Sequence, residues 1–271
     1  MKQLLLLLCV LSVFSLFAQP VTPRKRYRAD FEIRTIGPAY PQDWFCQGVK
    51  LEKPEAAETA AGAKKKKKEK AFAYPGFSIR FADAKKKEVK VSEKRPYYLA
   101  FSEKFVPGSF EFYAPDGAAE MVLHKSGVIV RNLKLTEIPV KKDLALPLDY
   151  HITGPSRNAV ISVNPDGTVI FDVSANGVVE TLSVPVKGGK RYRLTVRGAR
   201  GFRQGKESSL LIRYYFRQTA GGKSISSNKE GLRTGNPAKP FVYEILAPKN
   251  ARWFSLWVMW GKFLDYKLEE L

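Results

Sequence analysis

The chain has 271 residues, with 46 Lys and Arg against 26 Asp and Glu, and a formal net charge of +20. A β protein of this length can build one large hydrophobic core or two ordinary ones, so it does not need disulfides to fold. The positive charge favours acidic glycans, lipopolysaccharide or anionic lipid headgroups as partners. A soluble basic surface without a dedicated partner is an equal alternative.

The first residues have the pattern of a secretory signal peptide. Lys2 precedes an uncharged apolar stretch that runs to Phe17 and ends at Ala18, two residues before Pro20. A charged start, a short apolar core and a small residue at its end are typical of a cleaved signal. We expect cleavage after Ala18, leaving a secreted, extracellular or periplasmic protein with no transmembrane anchor. Export makes nucleic acid the least favoured polyanion.

The two cysteines do not predict a disulfide framework. Cys9 lies within the predicted signal, and Leu8 precedes it where a lipoprotein signal would have a small residue. Only Cys46 is left after cleavage, so no internal disulfide is expected. We expect a buried reduced thiol at Cys46, with a disulfide to another chain as the alternative.

An internal repeat organises the rest of the chain. Residues 77–137 and 210–270 overlay without gaps at a constant separation of 133 positions, with thirteen identities. Both copies run from an alternating strand through a Pro-containing turn, 114–118 or 247–251, into another alternating strand. A match of this length without insertions indicates a duplicated domain.

Short alternating apolar segments with turn residues between them predict β-strands throughout. No segment has a convincing helical period, which predicts an all-β fold of two tandem antiparallel β-sandwich (jelly-roll) domains. The predicted strands cover residues 31–35, 45–51, 77–81, 97–101, 110–113, 120–124 and 128–135, then 159–163, 169–173, 178–184, 192–197, 210–216, 241–246, 252–259 and 263–268.

The predicted organisation is a signal at 1–18, a first sandwich at 19–138, a linker at 139–147 and a second sandwich at 148–271. The stretch 52–70 is rich in Ala, Glu and Lys and has almost no large apolar residues, so it reads as a basic loop inserted in the first sandwich. We interpret its lysine run as a solvated loop or as a salt-sensitive tether to an acidic surface. The run consists of Lys64, Lys65, Lys66, Lys67 and Lys68.

The second copy carries a set of motifs shared with a known class of module. These are the segment 184–196 with its Lys-Gly-Gly-Lys turn, the strand 212–216, the segment 244–248 and the closing strand 265–268. Together they resemble galactose-binding-like jelly rolls, specifically the carbohydrate-binding modules often attached to bacterial glycoside hydrolases. The resemblance covers roughly 148–271, and a weaker version covers 29–138. It implies glycan binding on a concave sheet face or at loop tips, often beside a structural calcium, for which this chain has no acidic cluster.

The sequence contains few residues in patterns typical of a catalytic site. His124 and His151 do not have the spacing of metal ligands, and no serine-hydrolase, metalloprotease or phosphate-binding motif occurs. Glu111 and Glu244 occupy equivalent positions and suggest the paired carboxylates of a glycosidase. One Glu per copy opposite core residues is better explained as a solvated strand residue. We therefore expect no enzyme, no metal site and no cofactor.

Binding has more support, in the aromatic segment 252–260. Alternation places Trp253 and Trp257 opposite the core, at positions where the first copy carries Glu120 and His124. Flat indole rings suit the apolar faces of pyranose sugars. If the strand 210–216 points its apolar residues inward, its intervening basic and aromatic residues flank the tryptophans and can bind carboxylate or sulfate. The candidate glycan site comprises Trp253, Trp257, Arg213, Tyr215 and Arg217.

Two functions of different classes follow from these patterns. The first is a secreted, non-catalytic carbohydrate-binding or adhesion protein whose partner is a polysaccharide or cell-surface glycan, with a preference for acidic chains. The second is a structural envelope or extracellular protein whose sandwiches pack together or with partners. In that case Trp253 and Trp257 are buried against the first domain or another molecule.

Overall fold

The structure is a computed structural model of the chain. It describes residues 18–37, 75–91, 97–140, 142–149, 160–166, 168–174, 177–203, 205–228, 231–234, 236 and 238–271. These residues form antiparallel sheets arranged as two successive β-sandwiches, which confirms the expected all-β tandem fold. The domain boundaries themselves stay a prediction. In the described part of the chain no helix has the length and apolar character of a membrane span.

The first sandwich packs a four-stranded sheet against a three-stranded one. The first sheet has the order β1-β6-β3-β4 and the second the order β5-β2-β7. Their inner faces meet in an aromatic core, in which the Phe31 ring lies edge-on to Phe77 and Tyr98. The strands are β1 (Ala18–Pro20), β2 (Arg26–Thr35), β3 (Gly76–Ala82), β4 (Tyr97–Leu99), β5 (Val106–Tyr113), β6 (Glu120–Ser126) and β7 (Val128–Ile138).

The second sandwich repeats this plan with more strands. One sheet has the order β10-β18-β14-β15, with β11 beside β18 and β16 beside β14; the other has the order β13-β12-β19-β9-β8, with β17 beside β12. The strands are β8 (Val160–Val163), β9 (Val169–Asp172), β10 (Val178–Glu180), β11 (Val184–Pro185), β12 (Arg191–Arg203), β13 (Lys206–Ser208), β14 (Leu210–Arg217), β15 (Ser224–Ser227), β16 (Leu232–Thr234), β17 (Phe241–Leu246), β18 (Trp253–Met259) and β19 (Gly261–Glu270).

A buried tyrosine marks the same position in both sandwiches. Tyr27 pairs across its strand with Phe112 on one side and Glu137 on the other. Tyr192 pairs with Ile245 and Glu270, which are the repeat equivalents of those two residues. Each phenol oxygen accepts a hydrogen bond from the backbone N–H five residues earlier, at 2.7 Å in the first domain and 2.6 Å in the second. The duplication therefore extends upstream of the segment in which the sequence repeat is visible.

The pairing of β3 with β6 differs by two residues from the pairing of β14 with β18 that the gapless sequence overlay would imply. Arg213 on β14 lies opposite Trp257 on β18, whereas the residue of β3 opposite His124, the repeat equivalent of Trp257, is Ser78. Arg80, which the overlay matches to Arg213, pairs with Val122 instead. A shift of two preserves the inward and outward alternation of a strand, so hydrophobic pattern alone could not detect it.

The strand predictions differ from the structure at interruptions and edges. The strand expected at 178–184 is split into β10 and β11, because the Thr181 hydroxyl accepts the Leu256 N–H in place of a backbone carbonyl. Strands β13, β15 and β16 were not predicted; they are short and mostly polar, and so lack the alternation of half-buried strands. The segment expected to be a strand at 45–51 and the insertion at 52–70 lie outside the described residues.

Candidate functional site

The candidate site lies on the outer face of the sheet formed by β10, β18, β14 and β15. In β18 the residues Phe254, Leu256 and Val258 are fully buried between the two sheets. The alternate residues therefore point to the outer face, as the sequence predicts. Strand β14 lies antiparallel beside β18, so its outward residues stand next to the outward residues of β18.

Trp257 is the centre of this face. Its half-buried ring lies directly across from Arg213, whose guanidinium carbon is 5.5 Å from the ring centroid. Tyr215, two residues further along β14, meets the indole edge-on at a centroid distance of 6.4 Å. The fold thus brings together three of the predicted residues, and they form one continuous cluster of two rings and a cation. Such stacking restrains the arginine while its N–H donors stay available in the plane of the guanidinium.

Arg217, the next outward residue of β14, is held by the protein itself. It donates to the Glu180 carboxylate at 2.7 Å, to the Ser255 hydroxyl at 3.4 Å and to the Gly222 carbonyl. Its guanidinium also lies 5.1 Å from the Tyr215 ring centroid. With its donors engaged in this way, Arg217 positions Tyr215 and neutralises Glu180, and it is less free than Arg213 to bind a ligand.

Trp253 is not on the exposed part of this face. Its side chain has 0% exposure, and its indole N–H donates to Asp116 of the first sandwich at 2.8 Å. Arg24, also of the first sandwich, has its guanidinium carbon 5.9 Å from the indole centroid and pairs with Asp116 at 3.1 Å. Trp253 therefore packs at the domain junction, which is the alternative that the sequence left open for it.

One aromatic and one basic residue on the same face, Trp260 and Arg233, were not among the predicted site residues. Trp260 directly follows β18, and Arg233 on β16 lies opposite Leu211 of β14. The Arg233 guanidinium carbon is 5.3 Å from the Trp260 ring centroid. Trp260 belonged to the aromatic segment seen in the sequence, but its position in the turn broke the alternation. Nothing in the sequence placed Arg233 beside it.

The remaining candidates are not joined to this cluster. Glu111 pairs with Arg26 at 2.6 Å and Glu244 with Arg193 at 3.6 Å, each within its own sandwich. His124 is exposed on β6. Within the described ranges, no three His, Cys, Asp or Glu side chains are grouped as metal ligands. The lysine run at 64–68, His151 and Cys46 lie outside the described residues.

Comparisons with known proteins give structural neighbours only. No protein-family model and no curated protein sequence matches the chain. Among solved structures, the N-terminal CBM22-1-CBM22-2 tandem domain of Paenibacillus barcinonensis Xyn10C has a TM-score of 0.30 at 8% identity, covering 94% of this chain and 82% of that one. The tandem CBM51 modules of Sp3GH98, a family 98 glycoside hydrolase from Streptococcus pneumoniae, have a TM-score of 0.22 at 9% identity, covering 93% and 80%.

The extracellular domain of ANXUR2 from Arabidopsis thaliana is a third neighbour, with a TM-score of 0.24 at 8% identity and coverage of 93% and 80%. Two of these three neighbours are tandem carbohydrate-binding modules, the class that the sequence motifs resemble. At these TM-scores the overlay carries no argument about what this chain binds, and that argument rests on the geometry of its own outer face.

Proposed function

We propose that the protein is a secreted, non-catalytic carbohydrate-binding protein that holds an acidic polysaccharide on the outer face of its second sandwich. The observation that carries the proposal is the Trp257 ring, half-buried and flanked by Arg213 and Tyr215. In this role Trp257 and Tyr215 contact the apolar faces of sugar rings. Arg213 donates charge-assisted hydrogen bonds to carboxylate or sulfate groups on the chain.

The state of Arg213 favours an acidic ligand over a neutral one. Its Nε is buried and makes no hydrogen bond to the described residues. An acid group on a ligand would instead meet the other nitrogens of this half-buried guanidinium, and such charge-assisted hydrogen bonds are roughly twice as strong as neutral ones. Arg217, by contrast, already has Glu180 as its partner. A bound acid group would therefore give Arg213 the kind of partner that Arg217 already has.

The general features of the chain support the same role. The predicted signal peptide would export the protein to where polysaccharides are found, and the net charge of +20 would attract anionic chains to it. We infer that the five lysines at 64–68 add a non-specific, salt-sensitive contact with the same kind of surface.

A glycan array of acidic and neutral polysaccharides tests the proposal, with the mature protein applied at low and high salt. We expect acidic chains to be retained at low salt and weakened at high salt, because exposed ionic contacts are screened. Trp257→Ala should abolish retention. The matched control is Tyr243→Ala, which removes a 41%-exposed aromatic ring from β17 in the other sheet and should leave binding unchanged. Equal retention by both variants would refute the site.

The second function, a structural protein built from packed sandwiches, is favoured by one observation. Trp253 is fully buried at the domain junction, as a packing role requires. If packing with partners is the main role, the face around Trp257 should bind another protein. In that case the array would be blank and Trp257→Ala would disrupt an assembly measured by light scattering.

A further inference from the structure

We propose that the ligand path continues beyond Trp257 onto Trp260 and Arg233, so that three arginine–aromatic pairs form one linear site, in which Arg213 and Arg233 bind the anions of an acidic polysaccharide and Arg217 holds Tyr215. This inference rests on the proposed function. The pairs are Arg217 with Tyr215, Arg213 with Trp257, and Arg233 with Trp260, and their cation-to-centroid distances are 5.1, 5.5 and 5.3 Å.

The three pairs are placed in order along the strands. Tyr215 lies at the level of Ser255 on β18, and Arg213 at the level of Trp257. Arg233 lies opposite Leu211, which pairs with Met259, one residue before Trp260. At about 3.4 Å per residue, the run from Ser255 to Trp260 extends roughly 17 Å. That length suits several consecutive sugar rings better than a single terminal sugar.

Domain packing makes this path directional. At the other end of β18, Trp253 is buried against Asp116 of the first sandwich. Trp260 follows the opposite end of the strand, in the turn to β19. A chain seated on Trp257 therefore finds its next aromatic contact towards Trp260, whereas the opposite direction leads into the domain junction.

The backbone at Trp260 is consistent with a binding role for this side chain. Its φ is +70°, a left-handed conformation in which Gly or Asn is the ordinary choice. A bulky residue there is strained, and strained residues are concentrated at binding sites, where the surrounding structure holds them. The conformation turns the chain sharply into β19 while the indole lies against Arg233.

Arg213 and Arg233 differ from the arginines on the other sheet. There, Arg193, Arg197 and Arg200 are ion-paired with Glu244, Asp265 and Glu207. Neither Arg213 nor Arg233 has a carboxylate at ion-pair distance among the residues that the structure describes. Arginines stacked on rings and lacking a carboxylate partner favour a ligand that supplies the anions itself. Carboxylated and sulfated polysaccharides both meet this requirement.

Isothermal titration with size-graded acidic oligosaccharides tests the inference. One series is made from polygalacturonate, which carries carboxylates, and the other from dextran sulfate, so that the two kinds of anion are distinguished. The variants are Arg233→Ala, Trp260→Asn and Trp257→Ala, compared with the intact mature chain. Arg233 is exposed, so its replacement keeps the test valid even if substitution at Trp260 disturbs the turn.

The expected result depends on ligand length. Arg233→Ala and Trp260→Asn should each weaken long oligomers by about fivefold to tenfold and leave the shortest binding oligomers unchanged. Trp257→Ala should weaken all lengths. If the first two variants bind long oligomers like the intact chain while Trp257→Ala does not, the path ends at Trp257 and this inference is wrong. If Trp257→Ala also has no effect, the proposed function itself fails.

Discussion

The indole N–H of Trp253 donates a 2.8 Å hydrogen bond to Oδ2 of Asp116, across the junction between the two sandwiches. The other oxygen of that carboxylate forms an ion pair with Arg24 at 3.1 Å and lies 3.9 Å from Arg252. Arg24 also donates to the Arg252 carbonyl at 3.1 Å. One carboxylate thus connects both domains through a buried neutral donor and two cations. This contact places the outer face of the second sandwich relative to the first.

Replacing Asp116 should loosen the junction. Asp116→Ala leaves the buried indole N–H without an acceptor, which costs about 1–3 kcal/mol. Asp116→Asn keeps an acceptor oxygen and should lower the free energy of unfolding by less. The measurement is the free energy of unfolding in urea, together with small-angle scattering for the separation of the domains. Unchanged stability and dimensions in the alanine variant would show that the contact does not hold the domains together.

The two tryptophans of β18 should respond oppositely to truncation. Trp253→Ala removes a fully buried indole and should lower the free energy of unfolding by about 3–5 kcal/mol. Trp257→Ala removes a half-buried ring and should change stability little while abolishing glycan binding. Thermal unfolding and glycan retention, measured on both variants, separate the roles. A large stability loss in Trp257→Ala would identify that ring as core.

Substitutions at Trp260 should follow backbone preference. Asn tolerates the left-handed conformation, so Trp260→Asn releases about 1 kcal/mol of strain, which offsets the lost cation–π contact of about 0.5–1 kcal/mol. Trp260→Val loses the same contact and adds a β-branched side chain at positive φ. It should therefore be less stable than both the intact chain and Trp260→Asn. Urea unfolding ranks the three proteins. A valine variant as stable as the asparagine variant would contradict the assigned strain.

Alkaline pH should weaken the fold through Tyr113, whose hydroxyl donates to the Leu144 carbonyl at 3.0 Å. Burial raises the pKa of Tyr113 from 10.0 to about 12. The unfolded chain therefore ionises first, and stability present below pH 10 is lost as the pH rises towards 12, by up to about 2–3 kcal/mol.

The control for this pH dependence is Tyr113→Phe. This variant should be less stable at neutral pH, but its free energy of unfolding should fall less on going to alkaline pH. Burial also raises the pKa of Tyr192 and Tyr214, so a residual slope is expected. Urea unfolding across the alkaline range measures both proteins. Identical slopes for the two would show that Tyr113 does not contribute.

The sequence by itself determined the architecture of this protein. Period-2 alternation is a local property, since successive side chains of a strand point to opposite faces. That property located β14, β17 and β18, and it assigned Trp253 and Trp257 to the face opposite Phe254 and Leu256. The repeat added that the fold occurs twice.

Only the tertiary structure decided what each outward residue contacts. Alternation separates two faces but does not say what covers them, so Trp253 and Trp257 looked equivalent until the first domain was found against one of them. Alternation also does not reveal a register shift of two residues, such as the one between the pairing of β3 with β6 and the pairing of β14 with β18. Arg233 on β16 and Trp260 after β18 are 27 positions apart in the sequence. The pairing of β16 with β14, and of β14 with β18, brings them together.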